Sequence, residues 1–377
     1  MSWTIKDIPV KELSTGEVLS VKTYTLQNGA GPHVHIQASV HGAEIQGNAV
    51  ILKLMEALKH QEIQGSITLI PLANPYATLN KHGTYTYGRY NPVTGDNWNR
   101  NYLDIVKACA FDLKSFCERH KDHSWDDVKR AYKKELGQAF AGHVQDLKEN
   151  NRLQDNNKIN ILLQELALGA DGVLDLHTGP TATRYLYSAE YEEEISKHLL
   201  FKHVLVIPDE YAGAMDEASF MPWIHLKRHM KELGRKIDLD IESFTLEFGS
   251  EETFRMDEGS KDVESILNYL RYKNILPGDP ISQDAYYSKL ENYKTVFAPR
   301  GGLVDYHLQP GDHFNKGEKL ATFYQMKAID PEDPVKSCSH DLFATMDGII
   351  INRCPSSNVH QGMELFQIMS SVYKAKA

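Results

Sequence analysis

The pattern of apolar positions divides the chain into a part where strands alternate with helices and a part of short strands and glycine turns. Residues 17–26 (EVLSVKTYTL) read as a strand that ends in the turn 27–32. In 33–40, Val34, Ile36, Ala38 and Val40 share one face, the period of two that marks a strand. Ile45, Ala49, Leu52, Met55 and Leu58 then recur at three-to-four spacing and predict a helix over 44–59. A buried strand is expected at 67–73, with further strands at 172–176, 185–187, 203–207 and 243–248. Residues 104–170 are mostly helical in pattern, and a helix at roughly 258–273 closes this part. The interval 76–102 is rich in Gly, Tyr, Asn and Arg and has little periodicity. Structured loops of that length in a compact domain are usually functional. Strands alternating with helices predict an α/β fold on a mixed sheet flanked by helices.

A boundary is expected at Leu276-Pro-Gly-Asp-Pro280. Beyond it the chain repeats itself. Ala298-x-x-x-Gly302-Leu-Val304 is matched by Ala344-x-x-x-Gly348-Ile-Ile350, and Phe314-x-x-Gly317-x-x-Leu320 by Val359-x-x-Gly362-x-x-Leu365. Two such copies predict a small all-β domain with pseudo-two-fold symmetry. The expected division is therefore 1–278 and 279–377.

With 377 residues, 41% of them hydrophobic and 24% charged, the chain has ordinary globular composition. The net charge of −10 and the lack of any Lys/Arg run argue against nucleic-acid binding. Cys109, Cys117, Cys338 and Cys354 form no C-x-x-C pair and read as free thiols. The N-terminus has neither a basic nor an apolar signal region, and no stretch approaches the ~20 apolar residues needed to span a bilayer. The expectation is a soluble cytoplasmic protein with no membrane partner.

Candidate chemistry gathers at predicted strand ends, where open α/β sheets bind their ligands. His41-Gly-Ala-Glu44 lies between the 33–40 strand and the following helix, with Glu44 expected in the first helical turn and Gly42 permitting a tight turn. His177 ends the strand that begins at Gly172. Two imidazoles and one carboxylate form the ligand set of a catalytic zinc site with one position open. The H-x-x-E string is weak alone: His229-Met-Lys-Glu232 repeats it in a basic helical stretch that reads as a solvated face. Asp175, on the same strand face as His177, is either a carboxylate that orients a ligand or a buried, hydrogen-bonded one. Glu247 sits among apolar residues and reads either as a buried proton shuttle or as the outward face of an alternating strand. Arg89 and the pair Asn99-Arg100 place cations in the long loop, where Arg forks suit carboxylate capture.

HGAE, then Asn74-Pro75, Arg89, Asn99-Arg100, DLHTG and TLEFG, in that order, resemble the succinylglutamate desuccinylase/aspartoacylase family of the zinc carboxypeptidase superfamily. The resemblance covers roughly residues 15–275. The C-terminal piece resembles the barrel-sandwich domain of many bacterial members, related to biotinyl and lipoyl modules. It implies a zinc-carboxypeptidase-like mixed sheet and one Zn2+ per chain held by His41, Glu44 and His177. Glu247 would be the general base and Arg89 the group that polarises the carbonyl. Asn99 and Arg100 would hold the substrate's α-carboxylate, and Arg184 would add a further substrate contact. The chain departs from the family's usual D-L-N-R at Asn97-Trp98-Asn99-Arg100 and is longer around 104–150, both beside the substrate pocket.

The implied activity is removal of a small acyl group from an N-acyl amino acid, with cleavage of a C-terminal residue from short peptides as the alternative. Met326-Lys327 falls between the two repeats, where a biotinyl module carries its modified lysine. The following 328–334 segment is too long for the tight hairpin such a lysine needs, so a structural role, over the active-site mouth or in self-association, is expected for this domain. A metal-free binding protein is the remaining class.

Overall fold

The apolar runs assemble into a ten-stranded mixed sheet in a computed structural model that describes residues 2–375. Its strand order is Thr4–Glu12, Val18–Asn28, Gly65–Ile70, His33–Ala38, Gly172–Gly179, Glu242–Ser250, Arg184–Ala189, His203–Ile207, Ala285–Lys289 and Tyr373–Ala375. Four central neighbours, from Gly65–Ile70 to Glu242–Ser250, run parallel, so their carboxyl ends open on one edge of the sheet. The first strand, Thr4–Glu12, is an exposed edge strand whose polar sequence gives no apolar period to find it by.

Both faces of the sheet are covered. On one face, helices Gln46–Leu58 and Met256–Tyr272 lie against Val34, Ile36, Leu174, Leu176, Phe244 and Leu246. On the other, helices Asp155–Ala167 and Met215–Glu232 cover Val173 and Val40, and Trp125–Glu149 packs outside them. The last is a sequence-legible helix. Ser124 caps it by accepting from the Asp127 N–H, and Val128, Tyr132, Leu136, Phe140 and Val144 form one buried stripe at spacings of four. No helix among the described residues is long and apolar enough to cross a membrane.

The sequence repeat becomes two interlocked small sheets. Gly302–Tyr306 and Gly348–Arg353 are equivalent strands, as are Lys319–Tyr324 and Glu364–Met369. Each copy lends its short strand to the other: His313–Phe314 pairs with Gly348–Arg353, and Asn358–Val359 with Gly302–Tyr306. The division expected at 278/279 is crossed by hydrogen bonding. Ala285–Lys289 and Tyr373–Ala375 extend the large sheet, while Thr181–Ala182 leaves it to pair with Gly348–Arg353.

That crossing makes a tight seam. Asn352 is buried, and its Nδ2 donates toward the Tyr185 and Tyr293 hydroxyls and Gln367 Oε1 at 3.2, 2.8 and 2.8 Å. A Cβ on Gly179 would lie 2.2 Å from Asn352 Oδ1 and 2.8 Å from the Ala182 Cβ. Asn352 cannot retreat without breaking those bonds. Gly179→Ala is therefore expected to lower stability by roughly 1–3 kcal/mol, the usual cost of overpacking, read as a fall in the urea midpoint.

Candidate metal centre

Strand alternation explains why polar residues collect on one face of an apolar sheet. Asp175 and His177 alternate with Leu174 and Leu176, and Thr245 and Glu247 with Leu246 and Phe248. The parallel register sets Thr245 beside Asp175 and Glu247 beside His177. His35 and Gln37 join the same face. Glu247 is on the side opposite Phe244, Leu246 and Phe248, but that side is covered and not solvent-facing; Glu247 is 8% exposed.

At the end of the His33–Ala38 strand the backbone turns through Ser39, a buried non-glycine residue at φ 60°. Such a conformation costs on the order of 1 kcal/mol. Here the Ser39 hydroxyl bonds Asn48 Oδ1 at 2.7 Å and its carbonyl takes the Asn74 N–H. The helix starts later than its apolar spacing predicts, at Gln46, so Glu44 stands in the turn before it. Gly42 is required for room and not for left-handed backbone: a Cβ there would lie 2.2 Å from the Ala77 carbonyl oxygen, and its N–H bonds Gly88 O at 3.0 Å. Through this contact the loop that carries Arg89 is fastened to the His41 turn.

His41, Glu44 and His177 converge, each buried, with donor atoms within 4.8 Å of one another. Glu44 lies between the rings, Oε1 2.7 Å from His41 Nδ1 and Oε2 2.7 Å from His177 Nδ1. The outer ring nitrogens are also engaged, His41 Nε2 with Asn97 Oδ1 at 2.8 Å and His177 Nε2 with Asp175 Oδ2 at 2.8 Å. The Asn97 amide is oriented by its Oδ1 accepting the Asn99 N–H at 2.9 Å. Asp175 is in turn held by Gln37 Nε2 at 3.0 Å, and Gln37 by His35. Of the two readings of Asp175, orientation of a ring is the one this geometry supports.

These contacts test whether the trio suits a cation. Asn97 and Asp175 accept, so they favour N–H on each outer nitrogen and a bare lone pair on each Nδ1. Both lone pairs then face the Glu44 carboxylate at hydrogen-bond distance, an arrangement that needs a proton or a metal between donor atoms. The electrostatics agree. Burial works against charge on both Glu44 and His177. For Glu44 the two imidazoles more than offset it and hold the carboxyl well below its usual range. For His177 Asp175 and Glu44 do the same and push the imidazole well above its own. The residues fit a divalent metal with N,N,O ligation.

Arg89, Glu247 and Asn99 stand beside the trio, and Arg100 follows Asn99 in the loop. Arg89 Nη1 donates to Glu44 Oε1 at 3.1 Å. Partial burial opposes its charge, but Glu44, Glu247 and Glu251 keep the guanidinium firmly protonated. Burial, then the nearby Glu44 charge, pushes the Glu247 carboxyl up to about 8, and its Oε2 is buried without a hydrogen-bond partner. Tyr185 faces Glu247 in the antiparallel register, with Tyr187 edge-on to it. Asn99 is buried with its amide nitrogen 3.3 Å from His177 Nε2 and its Oδ1 taking the Met215 N–H. Arg100 is exposed and donates to the Asn99 carbonyl at 2.6 Å.

Arg184 is not brought to this cluster. It pairs with Phe248, so it points to the sheet face opposite Glu247, where Asp262 and Glu258 on the covering helix bind it at 2.5 and 2.7 Å. His229 and Glu232 stay on a helix surface, 3.9 Å apart and 37% and 70% exposed. Asn97, Tyr185, Tyr187 and Glu251 were not singled out as site residues from sequence. The spacing Asn97-x-Asn99 in the functional loop was the one signal available; the tyrosines resemble ordinary strand residues.

A cavity of about 630 Å³ opens beside the trio, lined by His41, Arg89, Glu251 and the aromatic side chains of Tyr85, Tyr87 and Tyr90 among others. Tyr85 bonds Glu251 across it. A buried pair of imidazoles, a carboxylate between them, a cation and an unpartnered carboxyl can together activate water against a polar bond.

Residues 30–273 match the succinylglutamate desuccinylase/aspartoacylase catalytic domain. A protein from Shewanella frigidimarina assigned to succinylglutamate desuccinylase/aspartoacylase is 33% identical over 99% of this chain and 98% of its own, with a TM-score of 0.91. A protein of the same family from Shewanella amazonensis is 35% identical over 99% and 100%, also at 0.91. The product-bound ectoine utilization protein EutE from Ruegeria pomeroyi shares the fold at 14% identity, over 97% and 93% of the chains and a TM-score of 0.63. No curated protein matches the chain in sequence.

The raised Glu247 value has a signed consequence for the metal-free protein. Its folded value, about 8, lies above the ordinary 4.5. The stability linked to its proton is thus fully present below about 4.5 and is lost as pH rises through about 8. Urea unfolding of the metal-free protein at pH 5 and pH 9 should show a steeper loss for the native chain than for Glu247→Gln.

Proposed function

The chain belongs to the succinylglutamate desuccinylase/aspartoacylase family, whose members are amide-bond deacylases, and from that premise we propose that it is a zinc-dependent hydrolase removing a small acyl group from an N-acyl amino acid. The observation that carries the reading is the pair of Nδ1 atoms facing one carboxylate, each ring fixed from behind by an acceptor. Zinc held by His41, Glu44 and His177 would lower the pKa of water toward about 7 and polarise an amide carbonyl.

The chain's own groups supply the rest. Glu247, buried beside His177 with an unsatisfied oxygen, takes the proton of the attacking water and returns it to the leaving amine, which must be protonated to depart. Arg89 stabilises the oxyanion that forms on the former carbonyl oxygen. Asn99 and Arg100 take the α-carboxylate; among the described residues Arg100 bonds the Asn99 backbone carbonyl through Nη1 and keeps donors to spare. Arg184 has no part in this reading, because Asp262 and Glu258 already bind it. Peptide trimming by the same groups is disfavoured by the Met363–Gln367 edge, which walls the cleft beyond Arg89 and Tyr90.

The test is turnover of N-acetyl and N-succinyl amino acids against dipeptides, alongside metal analysis. About one zinc per chain is expected, with activity lost to a chelator and restored by zinc. His41→Ala should lose both metal and turnover. Cleavage of dipeptides alone would sink the deacylase reading. Arg89→Ala should keep its metal and lose about 10²–10³ in kcat, the effect of removing one oxyanion donor.

A further inference from the structure

Three tyrosines and a histidine stand beside the metal trio with ring surface left bare. Tyr85, Tyr87, Tyr90 and His82 line the cavity of about 630 Å³ that also reaches His41 and Arg89. Tyr87 and Tyr90 are 55% and 54% exposed, and Tyr85 is exposed as well. Apolar surface gathered in a concavity next to polar groups marks a binding site. Tyr87 meets Tyr85 and His82 edge-on, with ring centroids 5.4 and 5.6 Å apart and interplanar angles of 76° and 86°. Edge-on contacts leave ring faces that a further apolar group can cover.

This wall is built and fixed. Lys81–His82 pairs antiparallel with Tyr85–Thr86 around Gly83, which turns at φ 60°. The Tyr87 N–H closes the hairpin on the Asn80 carbonyl at 2.8 Å. Its flank is tied down where the Thr86 N–H donates to Glu252 and the Tyr85 hydroxyl to Glu251. Next in the chain, Gly88 lies against the His41 turn: a Cβ on it would stand 2.4 Å from the Ala77 carbonyl oxygen and 2.8 Å from the Gly42 Cα. The aromatic hairpin is thus anchored to the same turn that aims His41.

The charges facing this space do not suit an anionic occupant. Arg89 is engaged by Glu44, and Glu251 adds a carboxyl that burial pushes up from its usual range. Lys81 lines the space too but is exposed, where an ion pair gains little. Position decides which part of a substrate enters. The cavity lies on the His41 side of the trio, whereas the Asn99 amide nitrogen is 3.3 Å from His177 Nε2. With the α-carboxylate on Asn99 and the scissile carbon between the rings, the acyl chain extends toward His41 and the tyrosines.

Resting on the deacylase reading, we propose that this hairpin builds an acyl-group subsite for an apolar chain, aromatic or aliphatic, and that Tyr87 is a specificity-determining residue of it. The substrate class is then an N-acyl amino acid whose acyl group is uncharged and larger than acetyl, of the size of hexanoyl or phenylacetyl.

The test holds the amino acid constant and varies the acyl group: N-acetyl-, N-succinyl-, N-hexanoyl- and N-phenylacetylalanine. N-acetylphenylalanine places a ring on the other side of the amide. Each is assayed with zinc-loaded wild type, Tyr87→Ala and Tyr87→Phe. Wild type should favour the hexanoyl or phenylacetyl substrate over both the acetyl and the succinyl one by about tenfold or more in kcat/KM. Tyr87→Ala should lose about fivefold of that preference, and Tyr87→Phe, which keeps the ring, should retain it. The preference is a ratio between substrates in one enzyme, which a folding defect leaves unchanged. A wild-type preference for acetyl or succinyl, or equal preference ratios in wild type and Tyr87→Ala, overturns the proposal. A Tyr87-dependent preference confined to N-acetylphenylalanine overturns the acyl placement. Calorimetric titration of the product acids gives a reading independent of turnover. Phenylacetate should bind wild type about tenfold more tightly than acetate, with most of the gap lost in Tyr87→Ala; equal affinities overturn the subsite even if deacylation proceeds. A Tyr87-dependent gap without hydrolysis of any N-acyl amino acid overturns the deacylase reading instead.

Discussion

One carboxylate placed between two imidazoles constrains much of this structure. Glu44 cannot stay ionised in a buried pocket without positive partners, and His41 and His177 cannot turn away while Asn97 and Asp175 hold their outer nitrogens. The strand order brings the rings together by setting His33–Ala38 beside Gly172–Gly179. The turn through Ser39 aims one ring, and the long loop reaches back with Asn97 and Arg89. Each element carries a modest local cost, a left-handed serine or a buried polar row, that only the assembled centre offsets.

The second consequence is a gradient of charge across a few ångströms. Glu44 is held ionised by its rings, while Glu247, paired with His177 on the adjoining strand, has its pKa raised by burial and by Glu44 itself. Two carboxyls of the same chemistry are thus pushed in opposite directions, Glu44 down by its imidazoles and Glu247 up by burial and the Glu44 charge.

Much of this was legible in the chain. HGAE does follow the carboxyl end of its strand, which stops at Ala38, while the strand of DLHTG runs two residues past His177 to Gly179; period-two and period-3.6 patterns report the covered faces of a buried sheet more directly than its ends. Finer placements were lost where tertiary contacts decide. The helix after His41 begins at Gln46, with Glu44 in the preceding turn bonded to both His41 and His177 across the fold. The role of Gly42 follows from the Ala77 carbonyl, a partner no local pattern reveals. Arg184 illustrates the limit of motif order: strand alternation turns it to the face opposite Glu247, where helix carboxylates bind it. Thr4–Glu12 leaves no apolar period in the sequence because an exposed edge strand needs no apolar face.

The pairing of Ala285–Lys289 with Tyr373–Ala375 changes how the C-terminal part should be regarded. Chain leaves the large sheet after one of these strands and comes back beside it in the other, so the twin small sheets are an insertion within a hairpin and not a tail. A tail can be trimmed by shortening the chain; an insertion cannot, since cutting before Ala285 also strips two strands and bares the His203–Ile207 edge to solvent or to another molecule. The same topology lets such a module be exchanged between relatives while the sheet keeps its register, because its entry and exit strands already lie hydrogen-bonded side by side.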